Sequence, residues 1–293
     1  MKKLFLVLLL VMFILSIRNS YSQCSDAGIC IIGDRHKKTK AEITSRTLSF
    51  QYSLGFSGHT TDESGISESM TFHAFKFGAD YSLTDKFSLG LVLPVYSIVY
   101  NDNNTFNRNG LGDAFLIGNY ITPAGKNQNV SFQGGFKLNT SSVDNEKFGY
   151  FNAQGSNDLI IGVDYNYSFL SFSGGAQIPL TNYKDDYGTT FKRGADVMVR
   201  AGLQRSAGDV KIKFELLAIK RLTESEFVYD GGPTSKVANS DFFQLNIMGG
   251  LQFNLSRDLL MDFGIALPMI ERKEDTDGTK RVFTTNLGIR YNM

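Results

Sequence analysis

Histidine, the side chain that most often carries acid–base chemistry, is sparse in this chain. Histidine occurs three times, as His36, His59 and His73, and only His73 lies in a segment whose pattern predicts a strand. A hydrolytic site there would need a serine bonded to the histidine and a third polar group that orients the pair. Ser67 and Ser69 are close in sequence, but nothing in the pattern places either hydroxyl against the imidazole. A histidine at the boundary between apolar and polar surroundings is the simpler interpretation of His73.

Carboxylate pairs and nucleotide-binding motifs likewise provide no candidate catalytic or binding site. Asp185 and Asp186 fall in a polar loop, where we expect them to be solvated. The DTDG run at 275–278 begins like a calcium-binding loop, but it lacks the glutamate needed at the twelfth position. No phosphate-binding glycine loop or dinucleotide fingerprint occurs, and 30 basic residues balance 29 acidic ones, which gives no field to attract nucleic acid. The sequence therefore predicts no enzyme, no cofactor, no bound metal and no nucleic-acid partner.

The first 23 residues have the layout of an export signal. Lys2 and Lys3 precede an apolar run from Leu4 to Ile17, and a short polar stretch ends at Gln23. A membrane anchor is the alternative, but the run falls short of the ~20 apolar residues that span a bilayer. We therefore predict that residues 1–23 are removed as a signal peptide and that the rest of the chain is exported.

Two cysteines, Cys24 and Cys30, follow that signal in the sequence CSDAGIC. In an oxidising compartment a disulfide between them is the first interpretation. A metal site would need more ligands than His36 adds. Lipidation of Cys24 is disfavoured by Gln23 directly before it, where a lipid-attachment motif needs a small residue. Residues 24–45 are otherwise polar and basic, and we predict that they form a periplasmic tail.

From residue 46 onward, apolar and polar side chains alternate with a period of two. Leu48 and Phe50 point one way while Ser49 and Gln51 point the other, as in a strand with one apolar face. Both faces of the segment 111–121 are mixed, so that strand is the weakest prediction. The pattern recurs in twelve segments of roughly nine to eleven residues, the length that crosses a bilayer when tilted: 48–56, 75–82, 87–95, 111–121, 130–138, 159–167, 172–180, 195–203, 210–216, 243–253, 259–267 and 283–291.

The connections between these segments alternate in length, which favours a membrane barrel over a soluble sandwich. Short periplasmic turns and longer outer loops are typical of transmembrane barrels, whereas a sandwich has no reason to sort its loops. We predict an all-β fold in which residues 46–293 form a transmembrane antiparallel up-and-down barrel of about twelve strands, with both termini in the periplasm. The short connections fall near 83–86, 122–129, 170–171, 205–209 and 254–258, and the long ones near 57–69, 98–110, 139–157, 181–193, 222–240 and 269–280.

Charged residues concentrate on the polar faces of the predicted strands. A charge at the lipid midplane costs ~2–4 kcal/mol, so the polar faces must line the lumen. Glycine is frequent on the same faces, and small inward residues predict a continuous or nearly continuous polar passage, narrowed by Arg200, Lys211, Lys213 and Glu215. Because acids and bases balance, we expect no dedicated anion or cation pore. The predicted lumen-lining residues are Lys76, Asp80, Lys137, Asp164, Asp196, Arg200, Lys211, Lys213, Glu215, Asp262 and Arg290, with Asp158 on the same face.

Three segments share the pattern G-x-[DQ]-[YF], a turn, then G-x-x-x-P. They run from Gly78 to Pro94, from Gly162 to Pro179 and from Gly250 to Pro268. Each interval between them contains four predicted strands, which indicates three four-stranded modules. The three prolines should then face the lumen near the outer rim, a third of the circumference apart.

Several short motifs resemble a family of outer-membrane transporters linked to the meta pathway of phenol degradation. They are GLGDAFLIGNY at 110–120 and the strand ends LPVY and QIPL. The resemblance covers residues 46–293 and implies export or uptake of small, often hydrophobic, molecules, but it supplies no binding residue. The final FTTNLGIRYNM resembles the C-terminal strand recognised by the barrel-assembly machinery, with Met293 where an aromatic residue is usual.

The function predicted from the sequence is a channel or transporter for small solutes, including hydrophobic ones, through a polar lumen. The alternatives are a structural or adhesive barrel that acts through its outer loops, and a barrel lipase or protease. The expected partners are outer-membrane lipid, the barrel-assembly machinery and a solute that the sequence does not identify.

Overall fold

The computed structural model describes residues 46–60, 67–101, 105–125, 128–142, 155–184, 189–229, 232–241, 243–271 and 283–293. Every regular element in these ranges is a β-strand. Within them, no helix is long and apolar enough to cross a membrane.

Twelve antiparallel strands close into one barrel, as the period-two pattern predicts. The first strand pairs on one side with the second and on the other with the last, where Thr47 lies opposite Asn292, so no edge is left open. The barrel strands are β1 (Thr47–Thr60), β2 (Ser67–Ser82), β3 (Phe87–Asn101), β5 (Ala114–Gly125), β6 (Gln128–Leu138), β7 (Asp158–Tyr167), β8 (Leu170–Pro179), β11 (Asp196–Ala207), β12 (Val210–Arg221), β15 (Phe243–Asn254), β16 (Leu259–Ile270) and β17 (Phe283–Asn292).

Five further strands lie in segments that the sequence predicted to be loops. β4 (Thr105–Leu111) pairs with the last part of β3, from Val95 to Asn101. After a break at Gly112 and Asp113, β5 pairs with the first part of β3. The other four form a separate sheet, here called the loop sheet, in the order β14-β13-β10-β9. These strands are short and carry no row of outward apolar residues, so their pairing left no period-two signal. They are β9 (Tyr183–Lys184), β10 (Thr190–Lys192), β13 (Glu226–Val228) and β14 (Thr234–Lys236).

The barrel has an apolar outer surface. Val199 is 62% exposed and Phe132 52% exposed, and such residues recur on the outward positions of the barrel strands. A soluble monomer rarely exposes a continuous apolar surface of this extent, whereas a lipid-facing barrel requires one. The bilayer therefore surrounds the outward rows, and the opposite rows face the lumen.

The module prediction can be compared with strand order. Pro94 lies on β3, Pro179 on β8 and Pro268 on β16, and these strands are four apart around a ring of twelve. All three pair with inward-facing residues, namely Lys76, Asp158 and Asn246. The structure therefore confirms that the three prolines face the lumen and lie four strands apart. Pro94 differs in its distance from the strand end, because β3 continues seven residues beyond it to pair with β4, whereas Pro179 is the last residue of β8. That the three prolines lie at similar heights remains a prediction.

Candidate functional site

The candidate site is the barrel lumen, and all eleven sequence-predicted residues lie on its inward face. Their exposure differs along the axis. Near the end that carries the short turns and both termini, the side chains of Lys213, Asp262 and Arg290 are 21%, 26% and 31% exposed. Lys137 and Asp196 are buried at the end that carries the long connections, and Asp164 and Arg200 are buried at heights between the two ends. Lys76, Asp80, Lys211 and Glu215 are partly buried. Their role in a passage remains a prediction.

The short-turn half of the lumen contains paired charges on neighbouring strands. The Asp262 carboxylate accepts a bond from Arg290 Nη2 at 2.7 Å and lies 3.6 Å from Lys213 Nζ. This carboxylate therefore links β12, β16 and β17 from the inside. Higher in the lumen, Arg200 on β11 lies 3.9 Å from Glu215 on β12. Since each of these charges has an opposite charge nearby, the lumen wall is close to neutral.

A buried polar group on the other wall centres on Asp164 of β7. Ser131 donates to its carboxylate at 3.2 Å, and the Gln133 amide donates to the same oxygen. Within the part of the chain that the structure describes, one buried oxygen each of Asn119, Gln133 and Asp164 has no hydrogen-bond partner. Buried oxygens without partners are costly, so this stretch of wall would gain from hydration.

Above these polar groups, apolar side chains from both halves of the barrel meet inside the lumen. We call this set the apolar belt. Val92 comes from β3 and Leu217 from β12, strands that lie six apart in the ring of twelve and therefore on opposite walls. Since these inward side chains are buried, the lumen is filled at this height. The belt comprises Val92, Phe115, Ile117, Ile160, Met198, Leu217 and Ile219, with Met248 packed against them.

A chain of buried ion pairs lies beyond the belt, at the long-connection end, and we call it the charge layer. Lys137 Nζ lies 3.2 Å from both Asp113 and Asp158. Arg193 lies 3.0 Å from Asp158 and 4.0 Å from Asp196. Arg221 Nε donates to Asp196 at 2.9 Å. Three acids and three bases therefore alternate along one connected chain.

Hydrogen bonds from the long connections hold the charge layer in place. The Asp113 carboxylate accepts backbone N–H bonds from Thr140 at 3.2 Å, Ser141 at 3.1 Å and Gly155 at 2.9 Å. It thus binds both described ends of the connection between β6 and β7. At the other end of the layer, Arg221 donates to the Ser225 hydroxyl at 3.4 Å.

The loop sheet positions Arg193. This residue directly follows β10, whose Phe191 ring packs against Phe227 of β13 with centroids 5.1 Å apart. Gly194 then passes very close to the chain after β12, because a Cβ there would lie 2.2 Å from the Thr223 carbonyl oxygen. Only a glycine permits this approach, which brings the Arg193 guanidinium into the lumen.

The described residues do not form the predicted open polar passage. Inward glycines were expected to leave space, but neighbouring groups already fill it. A Cβ on Gly135 would lie 2.2 Å from the Leu116 carbonyl oxygen, and one on Gly202 would lie 2.7 Å from Ser171 Oγ. Of the predicted narrowing, Arg200 is buried but Lys211, Lys213 and Glu215 are only partly buried, whereas the charge layer and the seven core residues of the belt, which lie higher, are buried.

The structure gives His73 a different partner from serine. The imidazole Nδ1 of His73 shares a hydrogen bond of 2.8 Å with the Tyr52 hydroxyl on the outward face. Ser69 lies four residues along the same strand, a separation of about 13 Å, which is too far for a Ser–His pair. Within the described residues, no group of three or more His, Cys, Asp or Glu could hold a metal ion.

Some sequence predictions fall outside the described residues. They are the signal peptide at 1–23, the tail at 24–45 with Cys24 and Cys30, the loop acids Asp185 and Asp186, and the DTDG run at 275–278. These remain predictions.

Sequence reasoning missed three members of the charge layer and most of the belt. Asp113 falls within the weakest predicted strand, 111–121, and Arg193 was assigned to a loop with no signal to distinguish it. Arg221 did have a signal, since it extends the inward row of β12 through Leu217 and Ile219 by the same period of two. The belt residues were passed over because inward positions were expected to be polar.

The fold and the two-faced strands define the class: the chain is a twelve-stranded transmembrane β-barrel, and bilayer lipid contacts its outer surface. It is similar to the COG4313 outer membrane channel from Pseudomonas putida F1, with a TM-score of 0.69 and 11% identity over 89% of this chain and 98% of the other. The transport unit of the autotransporter AIDA-I from Escherichia coli gives a TM-score of 0.53 and 12% identity over 91% and 95% of the two chains. The NanC porin gives 0.49 and 11% over 84% and 100%.

No family model and no curated protein matches the sequence. At such low identities the structural likeness shows the barrel fold alone.

Proposed function

We propose that this protein is an outer-membrane channel for small solutes and that it favours apolar ones. The apolar belt carries the proposal. The interior of a transmembrane barrel is ordinarily polar, and here buried apolar side chains from opposite walls meet across it. A neighbouring fold described as an outer membrane channel supports the general class.

The belt selects by desolvation. A polar solute that enters it loses its hydrogen bonds to water and finds no partner among Val92, Ile160, Leu217 and their neighbours, at a cost of several kcal/mol. An apolar solute replaces the contacts that the belt side chains make with one another and leaves no polar group unpaired. Below the belt the lumen wall is polar, so its side chains can bind water without a desolvation cost. The likeness of the motifs at 110–120 to transporters of hydrophobic molecules agrees with this preference.

We place the short turns and both termini in the periplasm. Short turns on that side and longer loops outside are the usual arrangement in outer-membrane barrels, and the short-turn end carries Thr47 and Asn292. The partly exposed polar half of the lumen then opens toward the periplasm. The charge layer and loop sheet then lie toward the outside of the cell.

Single-channel recording in planar bilayers tests the proposal. We expect rare, discrete openings whose ion current is reduced by small aromatic hydrocarbons and unaffected by sugars of similar size. Leu217→Asn places an amide in the belt and should weaken the hydrocarbon effect. Leu260→Asn is the matched control, because Leu260 also faces inward but lies outside the belt near the short-turn end. Equal block by hydrocarbons and sugars, unchanged in Leu217→Asn, would contradict the preference.

The closed lumen also favours a second candidate, a structural or adhesive barrel that acts through its loops. The loop sheet gives the long connections a folded surface suited to such a role. A protein that inserts correctly yet neither conducts nor passes any small solute would make this the better assignment. The lipase or protease alternative gains no support, because His73 is paired with Tyr52.

A further inference from the structure

The charge layer consists of two groups that are each paired internally. Asp113, Lys137 and Asp158 form one group at the upper ends of β5, β6 and β7. Asp196 and Arg221 form the other at the upper ends of β11 and β12. Strand β8 lies between the two groups in the barrel wall.

Arg193 contacts both groups. Its guanidinium lies 3.0 Å from Asp158 in the first group and 4.0 Å from Asp196 in the second, and the side chain is 3% exposed. Nη2 donates a hydrogen bond to Asp158, whereas the 4.0 Å contact of Nη1 with Asp196 is an ion pair without a hydrogen bond, since Nη1 has no hydrogen-bond partner among the described residues. One side chain thus ties two sectors of the lumen wall together above the apolar belt.

Arg193 also differs in its attachment from the four charged residues of the layer that lie on barrel strands. Lys137, Asp158, Asp196 and Arg221 belong to barrel strands, so they cannot move far without breaking the ladder. Arg193 lies between β10 and β11, outside the barrel ladder, and is carried by the loop sheet. Its withdrawal would break two ion contacts and leave every carboxylate of the layer with another basic partner. Withdrawal of Arg193 therefore leaves no buried carboxylate of the layer without an opposite charge.

We propose that Arg193 is a latch that keeps the lumen closed at its outer end, and that movement of the loop sheet releases it. This inference rests on the proposed channel function and adds the element that controls it. When the latch is in place, the two charged groups and the belt beneath them are held together and exclude solvent. When the loop sheet withdraws Arg193, the two charged groups lose the side chain that joins them and can separate above the belt.

The test compares Arg193→Met with wild type in planar bilayers at fixed voltage. Loss of the latch should raise the open probability at least about tenfold, equivalent to about 1.4 kcal/mol. Arg193→Lys keeps one charge but loses the two-carboxylate geometry and should give an intermediate value. Lys192→Met is the matched control, because it removes a basic charge from the neighbouring, exposed position, and it should behave like wild type.

A second variant should displace Arg193 without changing any charge. Gly194→Ala places a methyl group within 2.2 Å of the Thr223 carbonyl oxygen, so the segment that carries Arg193 must shift. It should also raise the open probability. Circular dichroism and the heat-dependent shift of the folded band on gels establish that each variant forms its barrel.

The outcomes separate the latch from the channel. Openings in wild type that are equally frequent in Arg193→Met and Gly194→Ala overturn the latch and leave the channel standing. A folded, inserted Arg193→Met that never conducts overturns both proposals. Frequent opening in Lys192→Met as well would show that net charge, rather than the latch, controls the gate, and this would also overturn the inference.

Discussion

Replacing Asp158 by asparagine is the sharpest test of the buried charge layer. Asp158 is fully buried and bonds Lys137 at 3.2 Å, Arg193 at 3.0 Å, Ser156 at 2.7 Å and the Gln177 amide. An asparagine keeps the volume and some hydrogen bonds but removes the negative charge that balances two buried cations.

The magnitude follows from what each cation retains. Breaking a buried ion pair from one side costs about 3–5 kcal/mol. Lys137 keeps Asp113 at 3.2 Å, and Arg193 keeps Asp196 at 4.0 Å, so neither cation is left without an opposite charge. We therefore expect the lower end of the range, about 3 kcal/mol in the free energy of unfolding.

The assay is reversible urea unfolding in detergent or lipid, followed by circular dichroism and by the gel shift of the folded barrel, since the chain has no tryptophan to report by fluorescence. Asp241→Asn is the matched control. Asp241 pairs with Lys220 at 3.2 Å, but the two side chains are 45% and 41% exposed, and exposed pairs contribute only about 0–1 kcal/mol. If Asp158→Asn costs no more than Asp241→Asn, water already fills the outer half of the lumen, and the reasoning about the layer fails.

Two other predictions follow from close packing and from compartment. Gly135→Ala should destabilise the barrel by about 1–3 kcal/mol, because the new Cβ would lie 2.2 Å from the Leu116 carbonyl oxygen. Gly134→Ala is the control and should be nearly neutral, because no atom lies within 4 Å of its Cβ. Equal effects of the two substitutions in urea unfolding would mean that the two strands do not approach as described. Cys24 and Cys30, if they form a disulfide in a periplasmic tail, should react with a thiol reagent only after reduction, and labelling of the untreated protein would contradict that pairing.

The twelve barrel strands could be predicted from sequence because each carries an outward apolar row that lipid demands. Segments without that demand escaped detection: the loop-sheet strands are two or three residues long, and β4 has the polar sequence TFNRNGL. β5 looked weak for the opposite reason. Phe115 and Ile117 are buried inside the barrel while Leu116 and Tyr120 face the bilayer, so the strand is apolar on both faces and its alternation is lost.

The lumen could be predicted only as a list of inward residues. Alternation determines which face a side chain lies on, so all eleven candidates point inward. It does not say which side chains meet, because the partners are far apart in sequence: Lys137 bonds Asp113 and Asp158, and Lys213 bonds Asp262. Whether inward glycines leave a passage also depends on the approach of neighbouring strands, as at Gly135. The sequence therefore predicted a lined passage where the structure has a filled one.

In the channel we propose, the apolar belt and the charge layer obstruct solutes in different ways. The apolar belt excludes ions and polar solutes through desolvation, but an apolar solute can displace its side chains at little cost. The charge layer obstructs apolar solutes instead, because each of its six charges lies within 4.0 Å of an opposite charge and an apolar solute offers none of them a replacement partner. An apolar solute therefore meets its main barrier at the charge layer. That barrier falls only if the layer separates into groups that are each paired internally. Separation at the contacts of Arg193 with Asp158 and Asp196 meets this condition, because it leaves each carboxylate with another basic partner.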